Sequence, residues 1–284
     1  MGIPSGKSQR LDPRSLTMSS FHIPTMAEMT ASGQTPDVLF WVGCAGSFDD
    51  RAKRITKAIA RILHASETSF AVLGQEESCT GDPAKRAGNE FLYQMQAAQN
   101  IATLNGYGIK RIITGCPHCF NALKNEYPEL GGTYEVLHHT QFIRELIETG
   151  KLRMSGDTPY KGRRITFHDP CYLGRSNGEY LAPREVIAKL DAELLEMRRC
   201  KQNAMCCGAG GAQMFKEAES GDREVNHART DPLIIPHVTR RKSGDHHGRI
   251  PWHWKGHCTR IRQPRCYGGF HLPFIGREST RAGS

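Results

Sequence analysis

Cys116-Pro117-His118-Cys119 constrains this chain more than any other stretch. Arg111-Ile112-Ile113-Thr114 before it reads as a short buried strand, Gly115 as the turn, and residues 120–126 as a helix. Pro117 suits the first helical turn, where its missing N–H removes no helix bond. Two cysteines three apart at a helix start can face one ligand. The positive helix end and its unpaired N–H groups favour thiolate over thiol. The pair therefore suits a metal, a cluster or redox chemistry, and the other cysteines narrow the choice.

The flanking sequence alternates strand and helix signals. Val38-Leu39-Phe40-Trp41-Val42 is a continuous apolar run, as expected for a strand covered on both faces. Residues 50–65 read as a helix with Ile55, Ile59, Ile62 and Leu63 on one stripe. Further strands are expected at 70–73, 111–114 and 134–137, and further helices over 82–105 and 140–148. After a polar linker, 151–162, the pattern restarts with strands at 164–168 and 193–197 and helices over 183–190 and 210–218. Strands alternating with helices imply an α/β fold with parallel sheets. Residues 1–36, rich in Ser, Thr, Pro and Met without periodicity, read as a flexible leader.

Cys44 follows the first strand, Cys79 the second, and Cys116 and Cys119 the third. In a parallel sheet these are all carboxyl ends, the edge where open α/β sheets bind ligands. Four thiolates from three loops point to zinc or an iron–sulfur cluster. The second half repeats the arrangement: Cys171 follows one strand and Cys206-Cys207 the next. The offset between Cys44 and Cys171 is 127, and between Cys79 and Cys207 it is 128. Internal repetition at that period means two related βα repeats, 37–150 and 163–230. A second C-x-x-C is due near 244–247, where Gly244-Asp245-His246-His247 stands instead, so the second repeat is truncated.

Val42-Gly43-Cys44, Cys116-Pro117-His118-Cys119, His168-Asp169-Pro170-Cys171 and Cys206-Cys207-Gly208 together resemble a cysteine-rich repeat family, that of heterodisulfide reductase B-like proteins and related iron–sulfur oxidoreductase subunits. The resemblance covers residues 36–230. It implies an electron-transfer subunit of a reductase or dehydrogenase complex. It also implies a [4Fe-4S] cluster on Cys44, Cys79, Cys116 and Cys119, with Cys171, Cys206 and Cys207 left from a second site. A ferredoxin-like or membrane-bound redox protein is the implied partner. The first repeat reads Ser78-Cys79 where the family has two adjacent cysteines. Four thiols still suffice for a cubane, whereas the family's five-cysteine non-cubane clusters lack a ligand here.

Two other readings use the same residues. One is a zinc-binding structural subunit with the same thiolates. The other is a thiol–disulfide oxidoreductase working through Cys116 and Cys119; Cys44 and Cys79 argue against it, since a dithiol needs no further partners. Cys200 lies outside the repeat and reads as a small buried hydrophobe. His138 and His139 read as a hydrogen-bonded or solvated strand-end feature rather than as ligands, and His168 as a group orienting its loop or a sulfur. The Gly208–Gly211 cluster lacks nucleotide-binding spacing and suits close backbone approach to a cluster.

Net charge is +9, but residues 231–284 hold ten Lys or Arg against three Asp or Glu. The rest is nearly balanced, so nucleic acid is not an expected partner. The absence of a long apolar run excludes a direct membrane span. Ten cysteines without a signal segment argue for a reducing, cytoplasmic setting, peripheral to a membrane only through a partner. The 231–284 tail carries six of the thirteen histidines, with Cys258 and Cys266 near His253 and His257, but no periodic stripe. It reads as unstructured sequence rather than a zinc site, consistent with a change of reading frame near Thr230.

Overall fold

The structure, a computed structural model, describes residues 22–153 and 158–208, with 210, 212 and 213. The chain enters through α1 (Met26–Ala31), then β1 (Val38–Trp41), α2 (Gly43–Phe48), α3 (Asp50–Ala65) and β2 (Phe70–Ala71). Next come α4 (Asp82–Arg86), α5 (Glu90–Gly106), β3 (Arg111–Thr114), α6 (Pro117–Asn121), β4 (Glu135–His138) and α7 (His139–Glu148). The second repeat supplies β5 (Arg164–Ile165), α8 (Leu181–Ala188) and β6 (Glu193–Leu194).

The first four strands form one parallel sheet in the order β2-β1-β3-β4, with Leu39 opposite both Ala71 and Ile112. Side chains of β1 alternate between its faces. Val38 and Phe40 pack with Ile113 against Ile59 and Leu63 of α3 and Phe142 and Leu146 of α7. Leu39 and Trp41 pack with Ile112 against Tyr93, Ala97 and Leu104 of α5 and the Phe120–Tyr127 segment. Burial on both faces explains why these strands read as unbroken apolar runs. β5 and β6 make a separate two-stranded parallel sheet. The expected α/β class with parallel sheets therefore holds.

Two expectations change. The leader reading fails for its described part, since α1 buries Met26 and Met29 in the core. Pro24 carbonyl and Met26 N–H also pair with Val72, extending the β2 edge. The physical reason lies in Thr25 and Glu28: each side chain caps the other's backbone N–H, which stabilises a six-residue helix. The helix expected over 120–126 instead begins at Pro117 and widens into a π-turn over Ala122–Glu126. Of the helix expected over 210–218 only residues 210, 212 and 213 are described, and the whole 231–284 tail lies outside the described residues.

Candidate metal centre

The sheet changes direction between β1 and β3: the chain leaves β1 for β2 on one side and crosses to β3 on the other. Loops leaving the carboxyl ends diverge at such a point and open a crevice. Cys44 enters it from the first turn of α2, Cys79 from the loop after β2, and Cys116 and Cys119 from the start of α6. Cys44 thus stands on a short helix rather than in the loop that the strand pattern suggests.

The four sulfurs form two hydrogen-bonded pairs that sense one another's charge. Cys44 donates to Cys79, which pushes Cys44 far up and holds Cys79 down at about 7. Cys119 donates to Cys116; this bond, with the α6 N–H groups, outweighs burial and holds Cys116 at about 6, while Cys119 is pushed well up. Gly43 lies against Cys119, and a Cβ there would come within 3.3 Å of its Sγ. Its φ of +77° also favours glycine. A thiolate donor set with a glycine wall at the switch point fits an iron–sulfur cluster. Among the described residues, no three Cys, His, Asp or Glu side chains close around a point as ligands of one ion do.

The loops are pinned from beneath. Asn100 Nδ2 donates to the Cys79 carbonyl (2.9 Å) and to Tyr127 Oη (3.0 Å). Tyr127 Oη–H donates in turn to the Thr80 carbonyl (3.1 Å). Ser78, at the position of the missing thiol, donates to Asn100 Oδ1 (2.8 Å) and belongs to this support. Glu77 accepts from the N–H groups of Val42 (3.0 Å) and Gly43 (2.5 Å). Burial raises its carboxyl to about 7 although both N–H bonds oppose the rise. Sequence reading missed Glu77, Asn100 and Tyr127, because nothing in their spacing marks a residue that acts across the fold.

The second group is nearby. Cys171 is partly buried, its thiol raised by that burial and by the charges of Cys206 and Cys207. Cys206 is exposed and accepts from Gly208 N–H (3.4 Å). His118 stands between the groups. Its ring packs on Tyr172 at 4.4 Å, and its Cε1 lies 3.6 Å from where a Gly210 Cβ would be. Its Nδ1 bonds Asp82 Oδ2 (2.8 Å), and Asp82 also holds Arg86 (3.1 Å). Burial opposes protonation of His118, but Asp82 outweighs it and raises the imidazole. His168 is only partly buried, and desolvation leaves it lowered. His138 bonds Thr140 (2.8 Å), in keeping with the hydrogen-bonded reading, whereas His139 Nδ1 is buried without a hydrogen-bond partner. Cys200 is partly buried just before the Lys201–Asn203 turn.

Comparison with known proteins adds a family. A cysteine-rich domain model, CCG, matches residues 38–124 and 165–233, together more than half of the chain. The chain is similar to an EtfAB:quinone oxidoreductase of Syntrophomonas wolfei, at 44% identity over 72% of this chain and 29% of that protein. It is similar to the probable iron-sulfur-binding oxidoreductase FadF of Bacillus subtilis, at 43% identity over 78% of this chain and 31% of that protein. It also matches one component of the dihydromethanophenazine:CoB--CoM heterodisulfide reductase of Methanosarcina barkeri, at 35% identity over 62% of this chain and 43% of that protein. The chain thus spans about a third of the length of the first two relatives. Among the described residues, no helix is long and apolar enough to cross a membrane.

Proposed function

The chain belongs to the cysteine-rich CCG domain family, and from that premise we propose that it is an iron–sulfur electron-transfer subunit of a reductase or dehydrogenase complex. The observation that carries this reading is the meeting of Cys44, Cys79, Cys116 and Cys119 at one switch point from three separate loops. Relatives named for iron–sulfur binding and for quinone or heterodisulfide oxidoreduction support it. A bound cluster supplies one-electron transfer at a potential set by its charge, its hydrogen bonds and its exposure.

The chain's own residues prepare that site. In each pair the neighbouring thiol favours ionisation of one member, Cys79 in one and Cys116 in the other, which suits the pair to bind as thiolate. Binding displaces whatever thiol protons remain, which makes loading pH-dependent. Asn100 and Tyr127 hold the Cys79 backbone, and Pro117 starts α6 so that Cys116 and Cys119 share its first turn. Phe120 and Leu123 are fully buried in the same core cluster as Cys119. The proposed partner is a ferredoxin-like or membrane-bound redox protein.

The zinc reading closes the same four thiolates on one ion. The dithiol reading leaves the Cys44–Cys79 pair unused. Anaerobic purification with iron, sulfide and zinc analysis decides among the three. A brown protein with matched iron and sulfide is expected, and Cys116→Ser or Cys119→Ser should strip the iron while the fold persists. A colourless, zinc-loaded protein, or full iron retention by both variants, would overturn the assignment.

A further inference from the structure

Glu77 is a buried carboxyl placed among thiols, where a negative charge repels the group that the site is proposed to hold. Burying a carboxyl is costly unless its hydrogen bonds compensate. Here both oxygens are used: Oε2 accepts from Val42 N–H at 3.0 Å, and Oε1 from Gly43 N–H at 2.5 Å. These N–H groups open α2, and Cys44 is the next residue. Glu77 itself stands two residues before Cys79. The carboxyl therefore ties the loop after β2 to the loop after β1, across a separation of about 35 residues.

No other side chain described at α2 does this. Val42, at its N-terminal boundary, makes no side-chain capping bond, and the helix has six residues, too short to be stable alone. Gly43 sits at φ +77° against Cys119, so its conformation also depends on what holds its N–H. The second repeat carries a comparable tie. Asp169, two residues before Cys171, accepts from Lys201 N–H at 2.6 Å, joining the Cys171 loop to the segment that leads to Cys206.

We propose that Glu77 is the positioning residue of the first centre: by holding the Val42 and Gly43 N–H groups it fixes Cys44 beside Cys79 and keeps both donors away from the sulfurs. This rests on the reading of the four thiols as one centre, but the tie itself does not require iron. Gln in its place offers a single acceptor oxygen of the same reach, so it holds one N–H and releases the other toward the crevice. Ala releases both.

The test uses the full chain in two states. In the metal-free, reduced protein, Cys44 alkylation by iodoacetamide is followed by peptide mass, with Cys206 as the exposed internal standard. Glu77→Ala should speed Cys44 labelling about tenfold, roughly the loss of one charge-assisted hydrogen bond, and Glu77→Gln should fall between it and the unmodified chain. In the iron-loaded protein, Glu77→Gln should keep its iron but show a higher reduction potential, because a released N–H stabilises extra negative charge on sulfur. Glu77→Ala should lose iron. If Cys44 labelling is unchanged in both variants, the tie is absent and the proposal fails. Faster Cys44 labelling in a chain that binds no iron would uphold the tie while removing the electron-transfer reading. An unmoved potential in iron-loaded Glu77→Gln would remove the claim that Glu77 withholds donors. Should Glu77→Ala fail to fold, the Glu77→Gln labelling rate and potential still decide.

Discussion

At the residue scale, buried polar side chains hold the thiol loops in place, and their removal has calculable effects. Asn100 serves Ser78, Cys79 and Tyr127 at once, so Asn100→Leu takes their partner from the partly buried Cys79 carbonyl and Ser78 hydroxyl, while Tyr127 keeps Thr80. It should destabilise the chain by about 2 kcal/mol in urea melts and weaken iron retention; an unchanged melt would show that water replaces it. Asp169 is buried, and that burial pushes its carboxyl up. The Arg184 fork (2.7 and 2.9 Å) and Lys201 N–H outweigh this and hold it below the usual carboxylate range. A carboxyl lowered in the native state stabilises above its unfolded value and loses that contribution as pH falls through the native value. The stability gap between the unmodified chain and Asp169→Asn should therefore be full at neutral pH and shrink below about pH 4. A gap that widened on acidification would contradict this. Arg184→Met, which leaves Asp169 buried and unpaired, should cost about 3 kcal/mol. Cys200 takes no part in either thiol group, so Cys200→Ala should leave iron content unchanged.

At the element scale, α1 shows what a sequence hides and why. Its six residues carry no apolar period long enough to register, and Ser, Thr and Pro around it suggest loose chain. The readable sign was Thr25-x-x-Glu28, a capping box, followed by Met26 and Met29 on one side. Met26→Ala should cost about 2–4 kcal/mol, measured as a shift in the urea midpoint; a cost near zero would mean that α1 is detachable from the β2 edge. Strands were legible because burial on both faces writes a continuous apolar run, as in β1 and β3. Their lengths were not: β2 and β5 keep only two paired residues each, since pairing depends on the neighbouring strand. The thiols were legible because chemistry restricts residue type and strand ends restrict position. Glu77, Asn100 and Asp82 were not, because a hydrogen bond spanning 20 to 40 residues leaves no periodic trace.

At the scale of the whole molecule, the two repeats are unequal, and that inequality bears on the metal content proposed for the chain. The first repeat presents four sulfurs from three βα units, while the second presents Cys171, Cys206 and Cys207 on a two-stranded sheet. The family match stops at residue 233, about as far into the second repeat as residue 106 is into the first at an offset of 127, so it ends before any counterpart of Cys116. Val238-Thr239-Arg240-Arg241-Lys242 then occupies the place of 111–115, and three successive cations are costly in a buried strand. The second group is nonetheless packed on the first: Leu173 joins the core cluster of the first sheet, and the Tyr172 ring packs at a tilt on His118. Three thiols so placed can hold iron only if another group supplies the fourth position. One cluster per chain is therefore expected, about four iron and four sulfide rather than about eight of each. The measurement is iron and sulfide per chain after anaerobic reconstitution. It is set beside a variant in which residues 231–284 are replaced by a third βα unit carrying Cys-Pro-x-Cys. The variant should double the iron and gain solubility, because the replacement strand covers an edge that has no partner strand among the described residues. Two full centres in the unmodified chain would defeat this expectation and would place ligands among His246, His247, Cys258 and Cys266.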